Sequence, residues 1–188
     1  MRAFIGIPLP EDVRGALARL QRELADSGAD VKWVVPDSLH ITLKFLDEIS
    51  GAQRQAIEEL LTRIVRGEPP WMVRLDRVGA FPSMQAPRVV WVGLVEGQET
   101  LRRLAETIER DGAAIPLRKE ERPFSAHLTV GRVRSSRRLQ ALAQRLRETQ
   151  WQGPPPWRVT SVVLYQSVLM PAGPTYSVLA DIPLRGGE

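Results

Sequence analysis

The chain has no cysteine and only two histidines. The first absence excludes disulfides, thiolate nucleophiles and cysteine-bound zinc. The second excludes a histidine-rich metal site, and no carboxylate cluster with cation-ligand spacing replaces it. No metal and no cofactor are therefore expected. No apolar run approaches the roughly 20 residues of a bilayer-spanning helix. The apolar start, Met1 to Pro8, is too short for a secretory leader, and an amphipathic segment follows it at once. A cytoplasmic protein with no membrane partner is expected. Asparagine is also absent, which removes a thermolabile residue.

What is present reads as soluble and globular. The 188 residues are 43% hydrophobic and 26% charged, enough to bury a core in one domain or two small lobes. The net charge is +4, with arginine greatly outnumbering lysine. A planar guanidinium suits bidentate phosphate contacts, although a solvated basic surface would look the same.

An internal duplication organises the chain. The two histidines lie 87 residues apart (127 − 40). The same offset matches Gly6 with Gly93, Leu17 with Leu104, Pro36 with Pro123, Ser38 with Ser125, Thr42 with Thr129 and Ala56 with Ala143. Each copy reads β-α-β-β-α-β. In the first, Ala3 to Ile7 is a strand. A helix starts after Pro10 with Val13, Ala16, Leu17, Leu20 and Leu24 on one face. Val31 to Val35 and Leu39 to Leu46 are strands, Ser50-x-x-Gln53 resembles a capping box, and a strand follows from Trp71. In the second, strands are expected at Val89 to Val95, around Ile115 to Arg118, at Ala126 to Val133 and at Arg158 to Leu169. Helices lie between, the last of them capped by Ser135 or Ser136. The expected architecture is α+β: a single bilobal domain of two pseudo-symmetric lobes, about 1–87 and 88–174, plus a final strand about 175–184. Antiparallel or mixed sheets would surround a central V-shaped cleft.

Each histidine sits in a His-x-Thr strand motif, Leu39-His40-Ile41-Thr42-Leu43 and Ala126-His127-Leu128-Thr129-Val130. Residues two apart on a strand share a face. Each motif thus presents one imidazole beside one hydroxyl. Two imidazoles flanking a phosphate can act as general base and general acid near neutral pH, and hydroxyls can donate to its nonbridging oxygens. A lone histidine in an apolar strand is usually core. Here both histidines occupy equivalent points of a duplication, which favours catalysis. Arg132, five residues after His127, would point to the opposite face of a regular strand, so phosphate contact would need a twist or bulge. Its counterpart, Phe45, reads as core.

These residues resemble the two-histidine phosphoesterase superfamily, and within it the RNA 2′,3′-cyclic phosphodiesterase (2′-5′ RNA ligase-like) family. The resemblance covers essentially the whole chain. It is carried by Arg2 to Pro10, Leu39 to Leu46, Arg122 to Arg132 and Gly173-Pro174-x-Tyr176. It implies hydrolysis of a 2′,3′-cyclic phosphate at an RNA end to a 2′-phosphomonoester. His40 would be the proton donor and His127 the proton acceptor, with Thr42, Thr129 and Arg132 as phosphate contacts. Symmetry alone does not assign acid and base. No protein partner is implied and a monomer is expected. Two positions depart from the family pattern: Ala126, where proline is common, and Gln166, where glutamate is common. Two other readings compete, a reversible 2′-5′ RNA ligase using the same histidines and a noncatalytic RNA- or nucleotide-binding module.

Overall fold

The computed structural model describes residues 1–170 and 173–185 and contains nine strands and four α-helices in that range. In chain order the strands are β1 (Arg2–Pro8), β2 (Val31–Trp33), β3 (His40–Glu48), β4 (Trp71–Pro82), β5 (Pro87–Glu96), β6 (His127–Val133), β7 (Trp157–Val159), β8 (Ser161–Met170) and β9 (Gly173–Pro183). The helices are α1 (Glu11–Ala25), α2 (Gly51–Val65), α3 (Gln98–Asp111) and α4 (Leu139–Glu148). Among the described residues no helix is long and apolar enough to cross a membrane.

The helix signals act as their chemistry predicts. Pro10 stands at the cap of α1, with Glu11 and Asp12 at its positive end. The stripe Val13, Ala16, Leu17, Leu20 and Leu24 is buried. At α2 the capping box is complete: Gln53 N donates to Ser50 Oγ at 3.2 Å, and Ser50 N donates to Gln53 Oε1 at 2.8 Å. The expected serine cap of α4 does not form. The helix begins after Arg138, which adopts a left-handed φ of 51°, and no side chain caps it.

Two antiparallel sheets hold the chain together, in the orders β3-β1-β8-β9 and β2-β6-β5-β4-β7. The two halves of the sequence are interwoven. At the 87-residue offset β1 corresponds to β5, β3 to β6 and β4 to β8. Yet β8 pairs with β1, while β4 pairs with β5. Helices exchange too: α1 and α4 pack on the second sheet, α2 and α3 on the first. One apolar cluster therefore draws on both halves, from Ile5, Ile41 and Leu61 to Val92, Leu128 and Leu164. Neither half could bury its own sheet without the other.

The segment expected as a strand at Ile115 to Arg118 is not one. It is extended chain beside β3, fixed by single bonds. Gln53 Nε2 donates to Pro116 O at 2.8 Å, Lys44 Nζ donates to Arg118 O at 2.9 Å, and Arg118 pairs with Asp47 at 2.9 Å. Pro116 lacks the donor a ladder needs, and the charged run Lys119 to Arg122 favours solvent. Lys44 is the strongest of these ties. Its ammonium is buried and pairs with Glu109 of α3. Burial alone would raise the Glu109 carboxyl, but bonds from Lys44 and the Glu120 amide outweigh it and hold the group below its usual range. Lys44→Met is expected to cost about 2 kcal/mol, the scale of hydrogen bonds to charged groups. The size is limited because Glu109 is partly exposed and can rehydrate. The urea midpoint measures it.

Candidate active site

Both histidines are aimed by the same device. His40 Nδ1–H donates to Ser38 O at 2.8 Å, and His127 Nδ1–H donates to Ser125 O at 2.8 Å. A carbonyl can only accept, so Nδ1 carries the proton and Nε2 is left as the free nitrogen of each neutral ring. Ser38 and Ser125 are themselves a matched pair of the duplication, and it is their backbone that matters. Gly6, cross-strand from Thr42, makes room for the first ring. A Cβ there would lie 3.4 Å from His40 Cδ2 and 2.9 Å from Ile41 O.

The strands that carry the motifs contain matching β-bulges. Along β3 the register against β1 slips between Thr42 and Lys44, leaving Leu43 extra. Along β6 the register against β5 slips between Thr129 and Gly131, leaving Val130 extra. The two extra residues are again 87 apart. Each bulge turns the next side chain over, so Arg132 and Phe45 join the histidine face, opposite Val89 and Phe4 respectively. For Arg132 this supplies the reversal that a regular strand denies it. For Phe45 it overturns the core reading: the ring is 55% exposed. Lys44 is turned inward by the same step.

The surroundings of the two histidines differ. His40 sits in an aromatic box, 4.4 Å between centroids from Phe4, 5.2 Å from Tyr176 and 6.1 Å from Tyr165. Tyr176 lies on β9 and His40 on β3, the two edges of one four-stranded sheet, so this sheet curls strongly around the site. Phe81 stands edge-on to His127 at 5.3 Å, and Phe81 packs on Trp91 at 5.2 Å. Trp91 lies flat over Gly79, where any Cβ would collide with the indole. The sheets meet where β3 approaches β6. Arg132 of one sheet is close enough to Tyr176 of the other to favour its phenolate electrostatically.

Burial lowers the His40 pKa from its ordinary 6.5, partly offset by the Ser38 carbonyl. An NMR titration of the ring protons is expected to place the His40 midpoint below that of an unfolded-chain histidine. The linked stability follows in sign. The unfolded chain takes up this proton at higher pH than the folded one, so stability falls as pH drops from 6.5 through the folded pKa. Burial also pushes Tyr165 up to about 12. Tyr176 is raised by burial too, against the lowering influence of Arg132 and Arg2. Both hydroxyls keep their protons at neutral pH and can only be donors to an anion.

His40, Thr42, His127, Thr129 and Arg132 thus lie on the two histidine faces. Gln166 does not. It pairs opposite Ala3 and so lies on the other face of its sheet from Tyr165. The aromatic box was missed by sequence reasoning, although one signal was available. The chain has only two tyrosines, and both stand around His40.

The chain is similar to known proteins along nearly its whole length. The family profile described as LigT-like phosphoesterase matches residues 7–91 and again 92–176. An RNA 2′,3′-cyclic phosphodiesterase of Methanothermobacter thermautotrophicus is 36% identical over 94% of this chain and 95% of its own length. The crystal structure of a Thermus thermophilus protein, TT0787, superposes with a TM-score of 0.82 at 30% identity, covering all of both chains. Escherichia coli LigT complexed with 3′-AMP superposes at 0.77 with 26% identity, covering 97% of each. With paired His-x-Thr strands on a fold of this topology, the chain belongs to the LigT-like phosphoesterase family.

Proposed function

We propose that the protein opens 2′,3′-cyclic phosphates at RNA ends to 2′-phosphomonoesters by acid–base catalysis that needs no metal. The observation that carries this reading is the pair of Nδ1–carbonyl bonds, which leaves Nε2 of each ring as the nitrogen free for proton transfer. Water attacks phosphorus from the His127 side and gives its proton to His127 Nε2. The P–O3′ bond breaks, and His40 Nε2–H protonates the departing 3′ oxygen. Thr42, Thr129 and Arg132 hold the nonbridging oxygens as charge builds on them. The lowered pKa makes protonated His40 a strong acid, and the bound anionic phosphate raises the fraction that is protonated. Phe45, with Val178 two strands beyond Phe4 on the same face and 59% exposed, offers an apolar shelf for the terminal base. One chain carries both histidines, so a monomer is a complete catalytic unit, and an RNA-end substrate suits a cytoplasmic enzyme. The relatives named RNA 2′,3′-cyclic phosphodiesterase and the LigT complex with 3′-AMP support a nucleotide substrate.

The test is turnover of an oligoribonucleotide ending in 2′,3′-cyclic phosphate, in EDTA. A 2′-phosphate product is expected. RNA bound without turnover would overturn the hydrolase reading in favour of a binding module.

A further inference from the structure

Arg77 lies in the cross-strand row of His127, through Gly93, and two further cations, Lys32 and Arg2, stand on the Arg132 side where the two sheets close together. Lys32 of β2 is the direct cross-strand neighbour of Arg132 and shares its face. Arg2 of β1 is two residues before Phe4 and so shares the face of the other sheet. The sheets close together here: the Lys32 ammonium lies 3.6 Å from where a Cβ of Gly173 on β9 would stand. Tyr176, three residues along β9, feels both Arg132 and Arg2. Among the described residues none of Arg132, Lys32 and Arg2 has an ion-pair partner. The carboxylate paired across from Arg2, Glu48, is engaged by the Met1 ammonium at 3.0 Å. Elsewhere among the described residues seven of the 23 arginines are ion-paired, Arg54 with Glu58 and Arg103 with Glu68 among them, so what sets Arg2, Lys32 and Arg132 apart is their place where the two sheets meet. Arg132, Lys32 and Arg2, without ion-pair partners where the two sheets close together, form an anion site larger than one phosphate requires.

We propose that Arg2 and Lys32 bind the phosphodiester immediately 5′ of the terminal nucleotide, making the enzyme selective for oligonucleotide ends over free 2′,3′-cyclic nucleotides. This rests on the function proposed above. The terminal phosphate occupies the space between the histidines. The next phosphate along the strand is the anion nearest to it, and Arg2 and Lys32 are the cations next to Arg132 along the faces of the cleft. Tyr176, which keeps its proton, adds a hydroxyl donor beside them. Single-stranded RNA is held in this way by charge and without base readout.

The experiment compares kcat/KM for adenosine 2′,3′-cyclic phosphate with that for the dinucleotide ApA ending in the same cyclic phosphate. The wild type is expected to favour the dinucleotide about tenfold, the scale of one additional charge-assisted contact. Its log kcat/KM should fall more steeply with log salt by about 0.7, the increment of one further phosphate on a single strand. In Arg2→Gln/Lys32→Gln both differences should vanish. Arg132→Gln should lower kcat/KM for both substrates, and Arg63→Gln/Arg66→Gln, exposed in and just after the last turn of α2, should leave the ratio as in the wild type. Equal rates for the two wild-type substrates would overturn the proposal, as would a preference that survives in the Arg2/Lys32 variant. Calorimetric binding of the corresponding 2′-phosphate mononucleotide and dinucleotide is measured in parallel. If neither cyclic substrate is turned over, the hydrolase reading fails, and the affinity ratio of these two ligands still decides the upstream site.

Discussion

His40→Ala and His127→Ala are each expected to lower kcat/KM for cyclic-phosphate opening by roughly 10³-fold, within the range of a single general acid or base. Neither change should unfold the protein. His127 has one side-chain bond, to Ser125 O, and His40 one, to Ser38 O, while the adjacent Leu128 and Ile41 supply the core contacts. A thermal melt within a few degrees of wild type is the control. The double variant should lose little beyond the single ones, because acid and base act in one transition state and their effects are not additive. The roles separate by leaving group. A nucleoside phosphodiester that expels p-nitrophenolate needs no protonation, so it should restore much of the loss in His40→Ala and none in His127→Ala. The reverse pattern would exchange the two roles. The pH profile offers a second check. With His40 as acid, kcat/KM, which reports the free enzyme, falls as pH rises through a pKa that burial holds below 6.5, and this alkaline limb should be missing from the residual activity of His40→Ala.

The chemistry of the site was easier to read in the sequence than the path of the chain through it. Both His-x-Thr motifs, the α1 stripe and the Ser50–Gln53 box are local patterns, and strand alternation or helix periodicity fixes them. The exchange of β4 and β8 between sheets is not local. Each is an apolar run that could pair with either β1 or β5, and only the joint burial of both sheets selects the partner. The strand expected near Ile115 failed for a local reason that the sequence did show, Pro116 followed by a charged run. The serine cap of α4 failed because the left-handed turn at Arg138 starts the helix two to three residues later. Arg132 and Phe45 could not be oriented from alternation, since one inserted residue reverses every side chain after it. The bulge at Leu43 has its counterpart 87 residues on at Val130, whereas a second bulge of β3, at Leu46, has none in the β5–β6 register, so the duplication alone does not place them.

Arg132 carries the second large effect. Arg132→Gln is expected to lower kcat/KM about 10²-fold, the size of losing one charged donor from a developing oxyanion. Arg132→Lys should recover only part of this, because a point charge replaces a planar fork. The partition between constants tells what the guanidinium does. Contacts made equally to ground and transition states would raise KM and spare kcat, whereas contacts that strengthen as phosphorus becomes five-coordinate would lower kcat. An arginine that only attracts RNA from a distance would give a third pattern, a KM defect that disappears for the mononucleotide and in high salt. The bulge at Val130 argues against the last. A side chain needed only for its long-range field could sit on either face of β6, and the extra residue costs a ladder position in the middle of a sheet. That cost is offset only if the guanidinium must stand beside Thr129, on the face where the phosphate is held. A kcat loss in Arg132→Gln, measured on the cyclic mononucleotide at high salt, would show the bulge to be part of the catalytic design; unchanged kcat there would reduce it to a feature of sheet twist.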